Sequence, residues 1–184
     1  MFINNKLESM KKISELGLNK FPEQLFKAGE QEKVREFLTC YPAQYYAIRD
    51  KSKAGGIFKL KVATNDVLAE INDYDLFTIN VSSANYVENQ LLVGEIQILS
   101  NGEVYATLSV DPTASVRDAL RNPTFNLKTD IFDKKLNKIS CFDLIYEYII
   151  NHNLQNVIVE FALFDKEVGI RKERIIVYEL RTHY

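Results

Sequence analysis

The sequence has little of what builds a metal centre from sulfur and imidazole. Its 184 residues include two cysteines, Cys40 and Cys141, and two histidines, His152 and His183. No CxxC pair occurs, and the histidines have no ligand spacing to the thiols. That speaks against zinc and indicates no disulfide framework. Both thiols are expected to be small, buried or half-buried groups. A basic surplus is also missing. With 23 Lys+Arg against 25 Asp+Glu the net charge is −2, which disfavours a general nucleic-acid binder and leaves room only for a local basic patch. No apolar run approaches the roughly 20 residues of a membrane span. The opening Met1-Phe2-Ile3-Asn4-Asn5-Lys6 has no apolar signal core. The expectation is a cytoplasmic protein with no membrane partner. No internal repeat or low-complexity segment is visible.

What is present reads as globular. The hydrophobic fraction of 46% and charged fraction of 26% are ordinary for a folded chain. The length suits one domain, or at most two very small ones. Leu7, Met10, Ile13 and Leu16 recur at three-residue steps, so a short amphipathic helix is expected, capped by Gly17. Pro22 ends an extended connector. A second helix is expected over 30–38, burying Val34, Phe37 and Leu38, and Tyr41-Pro42 breaks it. Strands are expected over 44–49 and 57–62, the second half-buried, around the flexible loop 50–56. Thr64 or Asn65 caps a short helix ending near Ile71. A strand over 76–81 and a polar loop over 82–89 follow. Asn101-Gly102 marks a hairpin between 91–99 and 103–110. Residues 111–140 show only a hint of helix near Arg117 and Arg121. A helix over 141–152 and strands over 156–164 and 174–181 close the chain. The fold class is α+β, with short helices packed on a largely antiparallel sheet. Residues 1–75 form a smaller N-terminal lobe and 76–184 a sheet-rich lobe of one domain.

The sharpest signal lies in the last two strands. VIVEFALF and IIVYEL are almost continuously apolar, which marks strands covered on both faces. Each nevertheless holds one glutamate, Glu160 and Glu179, and a buried carboxylate needs a partner. A hairpin turning near Gly169 places the two nearly opposite, where like charges repel. A divalent cation between them removes the conflict, and oxygen ligands suit Mg²⁺. Arg181 points to the same face as Glu179 and has the geometry to bind a phosphate. The alternative needs no metal: Arg181 pairs with Glu179, and Glu160 with a lysine elsewhere. A register slip of one residue would separate the two carboxylates.

A second candidate is Arg49, followed directly by Lys51, Lys53, Gly55 and Gly56. A glycine-bearing loop between strands can fold its backbone amides over phosphates. The competing reading is a plain hairpin turn with an arginine at a strand end.

In their order these pieces resemble the ATP-grasp superfamily. Residues 10–22, MKKISELGLNKFP, resemble the family's helix and its G-hydrophobic-x-x-P connector. YYAIR resembles the strand that usually ends in an ATP-contacting lysine, and KAGGIFKLKV the phosphate-covering loop and strand. NDVLAEI resembles the next helix, FTINVSS sits where the adenine linker lies, and VEFALFD and IIVYELRT look like the metal-binding strands. The chain departs from the pattern in three places. Arg49 replaces the lysine, which is similar to the ATP-binding domain of the phosphoenolpyruvate synthase and pyruvate phosphate dikinase branch. Glu179-Leu180-Arg181 stands where most members have glutamate followed two residues later by asparagine. The chain is also shorter than a typical member, so a substrate site is missing or supplied by a partner.

The resemblance implies ATP and Mg²⁺ as cofactors, and ligation or phosphoryl transfer to a small carboxylate-type acceptor. Arg49 would contact phosphate, and Lys51, Lys53, Gly55 and Gly56 would cover it. The backbone of Ile79, Asn80 and Val81 would meet adenine. Glu160 and Glu179 would hold magnesium, and Arg181 would steady the terminal phosphate. Arg117 and Arg121, one helical turn apart, would receive an anionic substrate, against the alternative of a solvated helix face. A non-catalytic module on the same fold, working through a protein partner or as a homo-oligomer, is the competing function. A nucleic-acid-associated role is disfavoured by the acidic balance.

Overall fold

The structure, a computed structural model, describes residue 3, residues 5–51 and residues 57–182. In chain order the elements are α1 (Lys6–Glu15), β1 (Glu23–Lys27), α2 (Gln31–Cys40), β2 (Tyr45–Asp50), β3 (Phe58–Ala63), α3 (Val67–Glu70) and β4 (Leu76–Val81). There follow β5 (Gln90–Ile98), β6 (Glu103–Ser109), α4 (Val116–Arg121), β7 (Phe125–Asp130), α5 (Phe142–Asn151), β8 (Ile158–Val168) and β9 (Glu173–Arg181). Two compact units divide the chain, one comprising Met1–Lys20 with Glu88–Tyr184 and the other Phe21–Val87. None of the described helices is long and apolar enough to cross a membrane.

The unit Phe21–Val87 is built on a four-stranded antiparallel sheet ordered β1-β4-β2-β3. Aromatic side chains hold α2 against it. Phe26 packs edge-on to Phe37 with ring centroids 5.9 Å apart and stacks on Phe77 at 5.8 Å. The buried Tyr46 hydroxyl donates to the Tyr41 carbonyl at 2.7 Å, tying β2 to the end of α2. Strand β1 gives no alternation in the sequence, because only Phe26 among its five residues is buried. The short helix near 64–71 exists but is not capped as expected. The Thr64 hydroxyl donates instead to the Ala43 carbonyl at 2.6 Å. Strand β3 is more exposed than a half-buried strand, since it forms an edge; only Val62 is buried. Residues 83–89 form 3-10 turns rather than irregular loop.

The other unit carries a five-stranded antiparallel sheet ordered β7-β6-β5-β8-β9. One face forms the main core. Leu92, Ile96, Val104, Leu108, Phe161 and Val177 cluster there with Ile145 and Ile149 of α5. Strand β7 lies within residues 111–140, where only a hint of helix was expected; Phe125, Leu127 and Thr129 alternate with the exposed Asn126, Lys128 and Asp130. The α1 stop is as expected. Gly17 has φ +63°, and the Leu18 amide donates to the Ile13 carbonyl at 3.0 Å in a Schellman arrangement. The buried face of α1 differs from expectation: Leu7 is 56% exposed, whereas Ser9 is buried. The Ser9 hydroxyl accepts from the Leu180 amide at 2.8 Å, so a polar residue covers the outer edge of β9. Both thiols are exposed, contrary to expectation. Cys40 ends α2, and Cys141 precedes α5 in a left-handed conformation.

Asn19 joins the segment after α1 to the β8–β9 hairpin. Its side chain is fully buried. The amide nitrogen donates to the carbonyls of Val168 at 2.9 Å, Glu173 at 3.2 Å and Ile175 at 2.9 Å. Two hydrogens thus serve three acceptors. The amide oxygen accepts from the Arg171 backbone at 2.8 Å. The Asn19 backbone amide donates to the Tyr148 hydroxyl at 3.2 Å, and burial pushes that phenol up to about 12. Asn19→Ala is expected to destabilise the protein by about 3 kcal/mol or more, since each buried group left unsatisfied costs about 1–3 kcal/mol. Urea unfolding of the two proteins measures this; a loss below about 1 kcal/mol would mean that water replaces the amide.

Candidate functional site

Side chains alternate across a strand, so a residue's position in the ladder decides which face it joins. Glu95 of β5 pairs with Glu160 of β8, and Glu160 pairs with Glu179 of β9. On the other side Glu95 pairs with Thr107 of β6, which pairs with Asn126 of β7. One polar row therefore crosses all five strands on the face opposite the main core. At its β9 end stand three carboxylates abreast, on β5, β8 and β9, spaced by the strand separation of about 4.8 Å. The expected facing of Glu160 and Glu179 is present. A bulge follows, since the next pair is Phe161 with Val177 and Tyr178 is the extra residue.

Among the described residues, Arg181 and Lys6 answer these charges. An Arg181 guanidinium nitrogen donates to Glu95 Oε2 at 2.6 Å and to Glu160 Oε1 at 2.9 Å. Lys6 Nζ lies 3.1 Å from Glu179 Oε2. The Asn5 side chain accepts from the Glu8 amide at 2.9 Å and starts α1, which sets Lys6 in the first turn. The Glu95 side chain is 7% exposed, that of Glu160 17% and that of Glu179 14%. The charges are therefore only weakly screened by solvent. Burial, and then the neighbouring Glu179 charge, push the Glu160 carboxyl above its usual 4.5, while Arg181 and Lys6 oppose the rise. The pairing expected without a metal is thus permuted: Arg181 serves Glu160 rather than Glu179, and the lysine serves Glu179. Glu95 joins the two glutamates expected from the sequence and carries the same signal, a lone charge within the apolar run LLVGEIQIL.

A resident divalent ion does not fit this donor set as folded. Among the described residues, no group of three His, Cys, Asp or Glu side chains is placed to hold a metal. Glu160 and Glu179 direct oxygens at Arg181 and Lys6 instead.

The remaining candidates lie on other elements of the two units. Arg49 is half-buried near the end of β2, its guanidinium 4.5 Å from the ring centroid of its cross-strand partner Phe58. The Lys51 amide donates to the Leu76 carbonyl at 2.7 Å. Lys53, Gly55 and Gly56 lie outside the described residues. Ile79, Asn80 and Val81 sit in β4, an interior strand paired with β2 on one side and β1 on the other. Most of their backbone groups therefore belong to ladders. What Asn80 adds is a half-buried amide that donates to the Val81 carbonyl at 3.0 Å. Arg117 and Arg121 lie on α4, which packs on β5 and β6. A capping box between Ser115 and Asp118 starts that helix. Hydrogen bonds from Ser115 hold the Asp118 carboxyl below the usual range, with smaller contributions from Arg121 and Arg117.

No family model matches the sequence, and no curated protein matches it. Solved structures do resemble the fold. The macrocyclase MdnC of Microcystis aeruginosa MRC, crystallised with its precursor peptide MdnA, aligns over 98% of this chain and 53% of its own at 14% identity, with a TM-score of 0.53. N5-carboxyaminoimidazole ribonucleotide synthetase from Thermotoga maritima aligns over 98% and 42% at 17% identity, TM-score 0.46. The D-alanine-D-alanine ligase of Coxiella burnetii aligns over 95% and 46% at 8% identity, TM-score 0.44. These are ATP-grasp enzymes, and the chain spans about half the length of each. The α+β fold, two antiparallel sheets with short helices, is ATP-grasp-like.

The raised Glu160 carboxyl has a consequence for stability. It keeps its proton to higher pH in the folded chain than in the unfolded one. Stability contributed by this group therefore falls as pH rises from its usual 4.5 through the raised value. Glu160→Gln removes that slope. Urea unfolding at intervals between about pH 4.5 and 7 should show the wild type losing stability relative to the variant as pH rises. A difference independent of pH would contradict the assignment.

Proposed function

We propose that this chain is an ATP-binding domain serving ligation or phosphoryl transfer to a small carboxylate-type acceptor. The observation that carries the reading is the row of Glu95, Glu160 and Glu179 with a partly buried arginine on it, set on an ATP-grasp-like fold. A guanidinium held between carboxylates is pre-organised, planar and always charged, which suits a phosphate oxygen. In this reading Arg181 meets the terminal phosphate. Arg49 and Lys51 are the phosphate-charge candidates of the other unit, and Lys53, Gly55 and Gly56 complete that glycine-bearing sequence motif. Ile79, Asn80 and Val81 mark the strand beside the adenine, and Arg117 and Arg121 receive the anionic acceptor. Magnesium belongs to the reading as an ion carried on the nucleotide's phosphates, where it neutralises charge. The arginine at the end of β2 supports, within this proposal, the likeness to the phosphoenolpyruvate synthase branch. A cytoplasmic setting accords with two free, exposed thiols.

A second reading has its own observation. Lys6 and Arg181 already neutralise most of the acidic row, which suits a non-catalytic module that acts through a protein partner or a second copy. Calorimetric titration of ATP, with and without magnesium, separates the two. The first reading expects saturable binding, weakened at least tenfold, about 1.4 kcal/mol, by Arg49→Ala. Heat no greater than dilution at millimolar ATP would leave the second reading standing.

A further inference from the structure

We infer that Arg181 is the resident cation of a divalent-ion site: its guanidinium fills the place between Glu95 and Glu160, and the folded protein alone takes no divalent metal there. Glu95, Glu160 and Glu179 face the same side of three neighbouring strands. Like charges in that register repel and need a counter-charge near the middle of the row. Arg181 supplies it from within the same ladder. It pairs with Ile158, two residues before Glu160, so its side chain rises on the carboxylate face beside the row. One guanidinium nitrogen reaches both Glu95 and Glu160, at 2.6 and 2.9 Å. A small cation sharing two carboxylates would use the same oxygens. Lys6 holds the third carboxylate from the outside, at 3.1 Å. The arginine and a divalent ion are therefore alternatives: with both present, two positive groups would crowd the same two acceptors.

Removing the guanidinium takes a shared positive partner from two carboxylates that solvent reaches only partly. Uptake of protons or of another cation is then favoured, since poorly solvated negative charge is unfavourable. The inference stands apart from nucleotide binding, so its test uses the metal alone. Mn²⁺ is titrated into the full chain without nucleotide, followed by paramagnetic resonance of the free aquo ion and by thermal unfolding. The wild type is expected to leave the free-ion signal and the Tm unchanged at millimolar Mn²⁺. Arg181→Ala is expected to remove Mn²⁺ from solution saturably, near one equivalent, with Tm rising by several degrees. Arg181→Lys, which keeps a cation, should behave as the wild type. Adding Glu160→Gln to Arg181→Ala should abolish the gained binding. If Arg181→Ala does not fold without metal, rescue by Mn²⁺ supports the inference. If it does not fold either way, Arg181→Gln, which fills more of the space without charge, takes its place with the same expectation. Saturable Mn²⁺ binding by the wild type that is lost in Glu160→Gln overturns the inference. So does a neutral variant that gains no Mn²⁺. Neither result bears on ATP, so a failure of this inference is distinguishable from a failure of the nucleotide reading.

Discussion

Like charges on neighbouring strands repel, and the five-stranded sheet sets three of them in line. Glu95, Glu160 and Glu179 face one way because the registers of β5, β8 and β9 put them opposite one another. Water can reach them only partly, so solvation cannot carry the burden. Cations must therefore arrive from the chain itself, and their sources define the local architecture. Arg181 comes from the end of the same hairpin. Lys6 comes from α1, whose first turn must lie beside β9, and the bond from the Leu180 amide to Ser9 holds it there. The polar row and the placement of the first helix are thus one problem with one solution.

Asn19 has a complementary role. A long β8–β9 hairpin has backbone groups at its turn and bulges that its own ladder does not use. A single buried amide gathers three of its carbonyls and one of its N–H groups. That connection fixes the segment after α1 against the hairpin that carries Glu160, Glu179 and Arg181. Gly169, at φ +76°, lies at the same place, and a Cβ there would approach Asn19 Oδ1 to 2.5 Å.

The row combines an acidic pattern with a resident arginine. An acidic row on an ATP-grasp-like sheet is suited to ions and phosphates, but here an arginine stands between two of the carboxylates. A guanidinium is directional and tethered, whereas a metal is exchangeable. The consequence is a surface of modest net charge that presents a fixed donor group, rather than a cage awaiting an ion.

Much of the secondary structure was legible because its causes are local. The β4 boundaries, the Asn101-Gly102 hairpin, the stop at Gly17 and the presence of α5 follow from alternation, turn chemistry and helical spacing. Strand β1 was not legible, since one buried residue in five leaves no period, and the alternation of β7 is masked by a stretch of mixed charge. The glutamates within the apolar closing strands were visible as an anomaly, and the sequence alone showed that each needed a counter-charge. What it could not determine was the partner. Arg181 with Glu95 spans 86 residues, and Lys6 with Glu179 joins opposite ends of the described chain. Such pairings are set by strand order and register, which arise only when the sheet assembles. The need for neutralisation was a property of the residues, and the choice of an arginine and a lysine to meet it belonged to the tertiary structure.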